Sequence, residues 1–96
     1  MSTVTRLSSG PLRGSGDFIL HANAGPQFVN RDSGVWGTIT ELAQPVGEPL
    51  DFPFIGAANM AVDNIAPRDD GIIDMWIHID HDGALNYKIQ VLVSND

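Results

Sequence analysis

The fold is decided by two neighbouring stretches, Ile72-Ile-Asp-Met-Trp-Ile-His-Ile-Asp80 and Leu85-Asn-Tyr-Lys-Ile-Gln-Val-Leu-Val93. In each stretch apolar and polar residues alternate, which is typical of a strand with one buried side. The apolar sides consist of Ile73, Met75, Ile77 and Ile79 in the first stretch and of Leu85, Tyr87, Ile89, Val91 and Val93 in the second. We expect both stretches to be β-strands whose apolar sides contribute to one core.

The short connection between the two strands predicts a C-terminal hairpin over residues 72–93. A two-residue loop of Asp82-Gly83 would place Ile79 opposite Asn86, so that core positions meet polar ones. A three-residue loop, His81-Asp82-Gly83, places Ile79 opposite Leu85 instead and puts Gly83 where such loops need a left-handed residue. We therefore predict the three-residue loop and its register.

This register also predicts the other face of the hairpin. It pairs Ile72 with Leu92, Asp74 with Gln90, Trp76 with Lys88, and His78 with Asn86. One interpretation is a ligand platform, with an aromatic ring beside hydrogen-bonding groups. The favoured interpretation is ordinary cross-strand pairing or a protein interface, with Lys88 over Trp76 as a cation–π contact.

The rest of the chain predicts further strands. Residues 1–16 are rich in Ser, Gly and Arg and are expected to form a flexible arm or loop with a short strand at 3–7. Strands are expected over 17–24 and 35–43, and over 52–62 with a kink at Gly56. Whether residues 57–61 are helical or extended stays open. The predicted fold is an all-β, small antiparallel sandwich or barrel of about six strands, with residues 17–96 as its single domain.

Composition restricts the classes of partner. The chain has 96 residues, a net charge of −7 and no cysteine, so disulfides and thiolate metal sites are excluded. Five basic residues, scattered along the chain, are too few for binding to nucleic acid or anionic lipid. No apolar run has the length of a signal peptide or a membrane span. We expect a soluble, cytoplasmic protein; export without a signal, or association with a particle, stays open.

Two polar groupings were considered as chemical sites. The segment His78-Ile-Asp-His-Asp82 resembles a metal site, but Asp-x-Asp-Gly is equally typical of a tight turn, and we expect no metal and no cofactor. His21 and His78 could form acid–base pairs with Asp17, Asp74 or Asp80. No nucleophile-elbow or phosphate-binding motif accompanies them. Catalysis is therefore not the favoured expectation.

Three hypotheses about function follow, in order of preference. The first is a non-catalytic β-sheet interaction or assembly module that forms a homo-oligomer through the outer face around Trp76. It is motivated by the apolar segments 75–79 and 89–93, which would promote aggregation at an open sheet edge unless a second subunit covered them. The second is a module that binds a small molecule or glycan, with Trp76 and Trp36 as stacking residues. The third is a small β-barrel enzyme of the lyase, isomerase or cyclase type that uses His78 with Asp74 or Asp80.

Overall fold

The computed structural model describes residues 3–95, and all its regular structure is β. The strands are β1 (Thr3–Ser8), β2 (Leu12–Gly14), β3 (Gly16–Asn23), β4 (Gly34–Ala43), β5 (Phe52–Phe54), β6 (Asn59–Pro67), β7 (Ile72–Asp80) and β8 (Leu85–Asn95). The predicted all-β class is confirmed. Within the described range no helix is long and apolar enough to cross a membrane.

The strands form two antiparallel sheets that pack as a sandwich. The five-stranded sheet has the order β1-β8-β4-β5, with β2 also paired to β8, and the three-stranded sheet has the order β3-β7-β6. The molecule measures 44 × 28 × 18 Å. Its shortest dimension is that of two stacked sheets with their side chains.

The predicted C-terminal hairpin is wrong. β7 and β8 follow each other in the chain but lie in different sheets, β7 between β3 and β6 and β8 between β1 and β4. Residues 81–84 therefore carry the chain from one sheet to the other. Ile79 pairs with Gly16 instead of Leu85, and Gly83 does not have the left-handed φ expected of it.

The alternation in β7 and β8 is nevertheless satisfied, because their apolar sides face each other across the interior. The buried core consists of Val29, Ile73, Met75, Ile77, Ile79, Tyr87, Ile89, Val91 and Val93. Each of the two strands is central in its sheet and covered on both sides. Neither strand is therefore an open edge that a second subunit would have to cover. Alternation defines which side is buried and leaves the neighbouring strand undefined.

The N-terminal residues are part of the sandwich: the short strand expected at residues 3–7 is present as β1, and the described remainder of the expected arm or loop also contains β2. β1 pairs with β8 over its whole length, and β2 pairs with β8 further along. Leu7 and Leu12 pack against the core, which explains why this Ser- and Gly-rich segment forms strands. Residues 1 and 2, and residue 96 of the predicted domain, lie outside the described range.

The predicted single strand over 52–62 with a kink at Gly56 is wrong, because the segment forms two strands that lie in different sheets. β5 ends at Phe54 in the five-stranded sheet, and β6 begins at Asn59 in the three-stranded sheet. Residues 59–61 are extended and 57–58 form a bend, so this segment is not helical.

A β-bulge in β6 preserves the division between inner and outer sides. Asp63 pairs with Trp76 and Ile65 pairs with Met75, so Asn64 is an extra residue without a cross-strand partner. Asn64 adopts a φ of 41°, a conformation that asparagine tolerates better than most residues. Without the bulge, Asn64 would face the core in place of Ile65.

Candidate functional site

The structure divides the predicted patch between the two opposite outer faces of the sandwich. Ile72, Asp74, Trp76 and His78 point outward from β7, in the three-stranded sheet, whereas Asn86, Lys88, Gln90 and Leu92 point outward from β8, in the five-stranded sheet. None of the four predicted cross-strand pairs forms, and the cation–π contact between Lys88 and Trp76 is excluded. These residues belong to two separate surfaces.

His78 lies between two carboxylates on the outer side of the three-stranded sheet. Its Nδ1 is 2.8 Å from Asp17 Oδ1, and its Nε2 is 3.1 Å from Asp63 Oδ2. Asp17 is its direct neighbour on β3, and Asp63 reaches it diagonally from the residue before the bulge in β6. In its imidazolium form the ring can donate a hydrogen bond to each carboxylate. Both nitrogens are engaged, so neither is free for a substrate.

The predicted pairing of His78 with Asp74 or Asp80 is wrong. All three residues lie on β7, where successive outward positions are about 7 Å apart along the strand. Directly opposite residues on neighbouring strands come much closer. The partner of His78 is therefore Asp17, one of the pairings considered from the sequence, together with Asp63.

A second histidine–carboxylate pair lies two rows along the same face. His21 Nδ1 is 2.5 Å from Asp74 Oδ1, and Arg68 Nη1 is 3.6 Å from Asp74 Oδ2. The hydrogen bond from His21, assisted by the positive charge of Arg68, lowers the pKa of Asp74 below its usual value, although partial burial opposes this. The pair His21–Asp74 was also among those considered from the sequence.

An exposed apolar pair lies between the two histidine–carboxylate pairs. Ile19 on β3 is directly opposite Trp76 on β7, and their exposed fractions are 52% and 41%. The indole of Trp76 is stacked on the imidazole of His78, with ring centroids 5.9 Å apart and planes inclined by 20°. Because two carboxylates hold His78, the tryptophan ring rests on an ordered neighbour.

We call this surface the acidic face; its outward charged residues are Asp17, Asp63, Asp74 and Asp80 with Arg68. Four carboxylates oppose one guanidinium, and His21 and His78 add positive charge only when protonated. The exposed apolar pair Ile19–Trp76 forms its centre. The charged groups therefore surround an apolar centre, as in many protein interfaces.

We call the outer side of the five-stranded sheet the basic face; it carries Trp36 and Leu92 with Arg6 beside them, and Lys88 and Arg13 further along β8. Leu92 lies between Arg6 on β1 and Trp36 on β4. Trp36 is 60% exposed and Leu92 45%. The Trp36 ring lies over Gly34, where an added Cβ would be 3.3 Å from its Cη2. This tryptophan thus lies on the surface, with one edge of its ring close to Gly34.

The basic cations lack acidic partners within the described part of the chain. Arg13 donates to Asn86 Oδ1 at 3.3 Å, and no ion pair among residues 3–95 includes Arg6, Arg13 or Lys88. The outward strand positions of this face carry no carboxylate. The basic face is therefore positively charged although the chain as a whole is acidic.

Two of the cavities in the described part of the chain lie near residues of these faces but away from their centres. An apolar cleft of about 360 Å³ opens between β1 and β3, the edges where the sheets separate, and Leu7, Leu20, Met75 and Val91 line it. None of the residues in the predicted patch lines this cleft, and the sequence pattern held no sign of it. A shallow polar depression of about 480 Å³ lies at the end of β7 beside Asp17, His78, Asp80, His81 and Asp82.

The residues of the polar depression do not converge on one point. His78 is held by Asp17 and Asp63, and His81 Nδ1 is 3.1 Å from the backbone N–H of Gly83, which donates to it. Among residues 3–95, no group of three or more His, Asp or Glu side chains is arranged to hold a metal ion. His81 and Asp82 lie in the connection between β7 and β8, and the contact of His81 with Gly83 is local to it.

Sequence reasoning missed Ile19, Asp63 and Arg6 as members of the outer faces. Ile19 and Asp17 could have been found from the alternation of β3, since both occupy its polar side. Asp63 lies just beyond the strand expected over 52–62, and only the pairing of β6 around its bulge shows that it points outward. Arg6 lies in the short strand expected at residues 3–7, but the sequence does not indicate which strand it pairs with.

No family model matches this chain, and neither a curated protein nor a solved structure matches it. No relative therefore lends its function to the chain. Function is therefore inferred from the geometry of the two outer faces.

Proposed function

We propose that this protein is a non-catalytic interaction module that associates with itself and uses the outer face around Trp76. The observation that supports the proposal is the exposed apolar pair Ile19–Trp76, set between two histidine–carboxylate pairs. A partly buried tryptophan surrounded by polar groups has the composition of an interaction hot spot. A cytoplasmic location remains a prediction from the sequence.

Order within the acidic face also favours association. His78 contacts two carboxylates, and the Trp76 ring stacks on it. Side chains that are already held in place lose less conformational entropy when a partner binds. An ordered tryptophan at the centre of a sheet face therefore binds at lower entropic cost than one on a mobile loop.

Sedimentation velocity at low micromolar concentration tests the proposal. We expect the wild-type protein to sediment faster than a monomer and the Trp76→Ala variant to sediment as a monomer that still unfolds cooperatively. Val46→Ala is the matched control, because Val46 is fully exposed and lies outside both faces. A wild-type protein that is monomeric throughout the range contradicts self-association.

Binding of a small molecule or glycan is the second candidate, supported by the same tryptophan. Its half-exposed ring has carboxylates nearby, and a sugar could stack on the ring while its hydroxyls donate to Asp63. Titrating a panel of monosaccharides against the fluorescence of a Trp36→Phe variant isolates the signal of Trp76. A response that is independent of protein concentration and is lost in a Trp36→Phe/Trp76→Ala double variant would favour this candidate.

We propose no reaction for the chain. The enzyme hypothesis required His78 to act with Asp74 or Asp80, and neither contact exists. Both nitrogens of His78 already face carboxylates. A general acid or base needs a nitrogen within reach of its substrate.

A further inference from the structure

We infer that the copies associate head to tail, with the basic face of one copy on the acidic face of the next. The inference rests on the proposed self-association and names the second surface that it needs. The acidic face has four carboxylates against one guanidinium, and the basic face has three cations with no carboxylate at an outward strand position. The two faces lie on opposite sides of the same sandwich.

The charges decide between the two ways in which identical copies can meet. In a two-fold symmetric dimer each face meets its own copy, so Asp17, Asp63 and Asp74 would oppose the same carboxylates, or Arg6 and Lys88 would oppose the same cations. Like charges brought together in an interface are unfavourable. Head-to-tail contact instead places carboxylates against cations that have no acidic partner within their own described chain.

Each face also carries an apolar centre that needs a partner. Ile19 and Trp76 are exposed by 52% and 41% on the acidic face, and Trp36 and Leu92 by 60% and 45% on the basic face. Both centres are directly opposed cross-strand pairs, Ile19–Trp76 and Trp36–Leu92. Stacking one copy on another would cover both aromatic rings and surround them with paired charges.

The outline of the molecule sets an upper limit on the area of a contact between stacked copies. The two longer dimensions of the molecule, 44 and 28 Å, bound a rectangle of about 1,200 Å², and a standard interface buries about 800 Å² on each partner. The contact does not close on itself, because each added copy exposes a fresh acidic or basic face. The expected product is a stack that lengthens with protein concentration.

Two single variants test the head-to-tail arrangement, because each prevents one face from binding its partner. Leu92→Asp places a carboxylate at the centre of the basic face, and Ile19→Lys places a cation at the centre of the acidic face. Each introduced charge has the sign of the surface that it would meet. We expect each variant alone to be monomeric in sedimentation equilibrium, with near-ultraviolet circular dichroism like that of the wild type.

An equimolar mixture of the two variants gives the decisive result. Leu92→Asp keeps its acidic face and Ile19→Lys keeps its basic face, so the mixture should form a one-to-one dimer that grows no further. If either variant alone associates as strongly as the wild type, the contact is between like faces, and the head-to-tail inference fails while self-association stands. A mixture that stays monomeric also overturns it.

The sign of the introduced charge and the salt concentration provide tests that do not depend on the mixture. Leu92→Lys removes the same side chain but adds a charge that suits the acidic face, so it should bind at least about tenfold more tightly than Leu92→Asp. For the wild type we expect the dissociation constant to rise with sodium chloride, because salt screens opposite charges. Association that strengthens with salt contradicts the head-to-tail contact, whereas a wild type that is monomeric at every salt concentration removes the proposed self-association as well.

Discussion

The two outer faces of the sandwich differ in whether their charged side chains form ion pairs. On the acidic face the charged side chains are paired with one another, since Asp17 and Asp63 hold His78 and Asp74 holds His21. On the basic face, Arg6 and the other cations have no carboxylate partner within the described chain. Both faces nevertheless have a tryptophan beside a branched aliphatic residue at their centres.

This difference shows what a single strand determines and what its neighbours add. Alternation within β7 and β8 determines which side chains point outward, and both strands obey it. The charge of a face depends on which strands lie side by side. β3 brings Asp17 to β7, whereas β1 brings Arg6 to β8. Charge segregation is therefore a property of the sheet order.

The largest expected effect is the loss of unfolding free energy when a residue of the inner layer is truncated, compared with a residue of an outer face. Ile77 is fully buried and Ile19 is half exposed, although they lie on adjacent strands. Ile77→Ala should lower the free energy of unfolding by about 3 kcal/mol, because it removes buried methyl groups and leaves a cavity. Ile19→Ala should cost less than about 1 kcal/mol.

Urea unfolding at a concentration where the protein is monomeric measures both values. The same comparison in the five-stranded sheet uses Val91→Ala, at a buried position, and Val4→Ala, at an exposed one. Equal losses for a buried and an exposed member of one pair would mean that the assigned inner and outer sides are incorrect.

Much of this layering could be predicted from the sequence, because burial in a strand follows a period of two residues. The inner residues of β7 and β8, and the strands at 17–24 and 35–43, follow from that pattern. The alternation cannot distinguish a hairpin from two facing sheets. In a hairpin Ile79 lies opposite Leu85 in one sheet, and in the sandwich Ile79 faces β8 across the interior, but both arrangements bury the same residues. Strand order depends on long-range pairing that no local pattern records.

The next largest expected effect is on the pH dependence of stability, which should differ between the paired charges of the acidic face and the unpaired charges of the basic face. The pKa of Asp74 is lowered by the hydrogen bond with His21. Its folded pKa is below its unfolded pKa, so it stabilises the fold above the unfolded value, and this contribution disappears as the pH falls through the folded value. Asp74→Asn should therefore lower stability at neutral pH and reduce the loss on acidification.

Thermal unfolding at neutral pH and near pH 3 measures this difference. Lys88→Gln is the matched control on the basic face, and its unfolding midpoint should fall in parallel with that of the wild type as the pH is lowered. If Asp74→Asn and the wild type lose equal stability on acidification, the pairing with His21 does not stabilise the fold.

The smallest effect concerns Tyr87, a titratable residue of the inner layer. Burial raises the pKa of Tyr87, and its ring lies 6.3 Å from that of Phe18 in the opposite sheet. A raised folded pKa means that the contribution is complete below the unfolded value, near pH 10, and is lost as the pH rises through the folded value. Tyr87→Phe should make the unfolding midpoint less sensitive to alkaline pH. A midpoint that falls as steeply in Tyr87→Phe as in the wild type contradicts burial of the hydroxyl.

The candidate site was predictable in its residues and not in its arrangement. Trp76, His78 and Asp74 could be identified because they occupy the outward side of a strand in which apolar and polar residues alternate. Their partners come from β3 and β6, and Asp63 reaches His78 only because of the bulge at Asn64. The sequence could therefore indicate a surface at β7 without indicating that β8 contributes to the opposite one.

The distance between positions 76 and 88 tests this separation most directly. The chain has no cysteine, so Trp76→Cys/Lys88→Cys carries two spin labels at chosen positions, and dilution with unlabelled protein removes distances between copies. The two sheets of a sandwich lie about 10 Å apart, and both labels point away from the interior. We therefore predict a separation between the labels above about 20 Å, measured by pulsed electron paramagnetic resonance. A hairpin would place the two Cα atoms about 5 Å apart with both labels on one side, and a distance in that short range would contradict the two-faced structure.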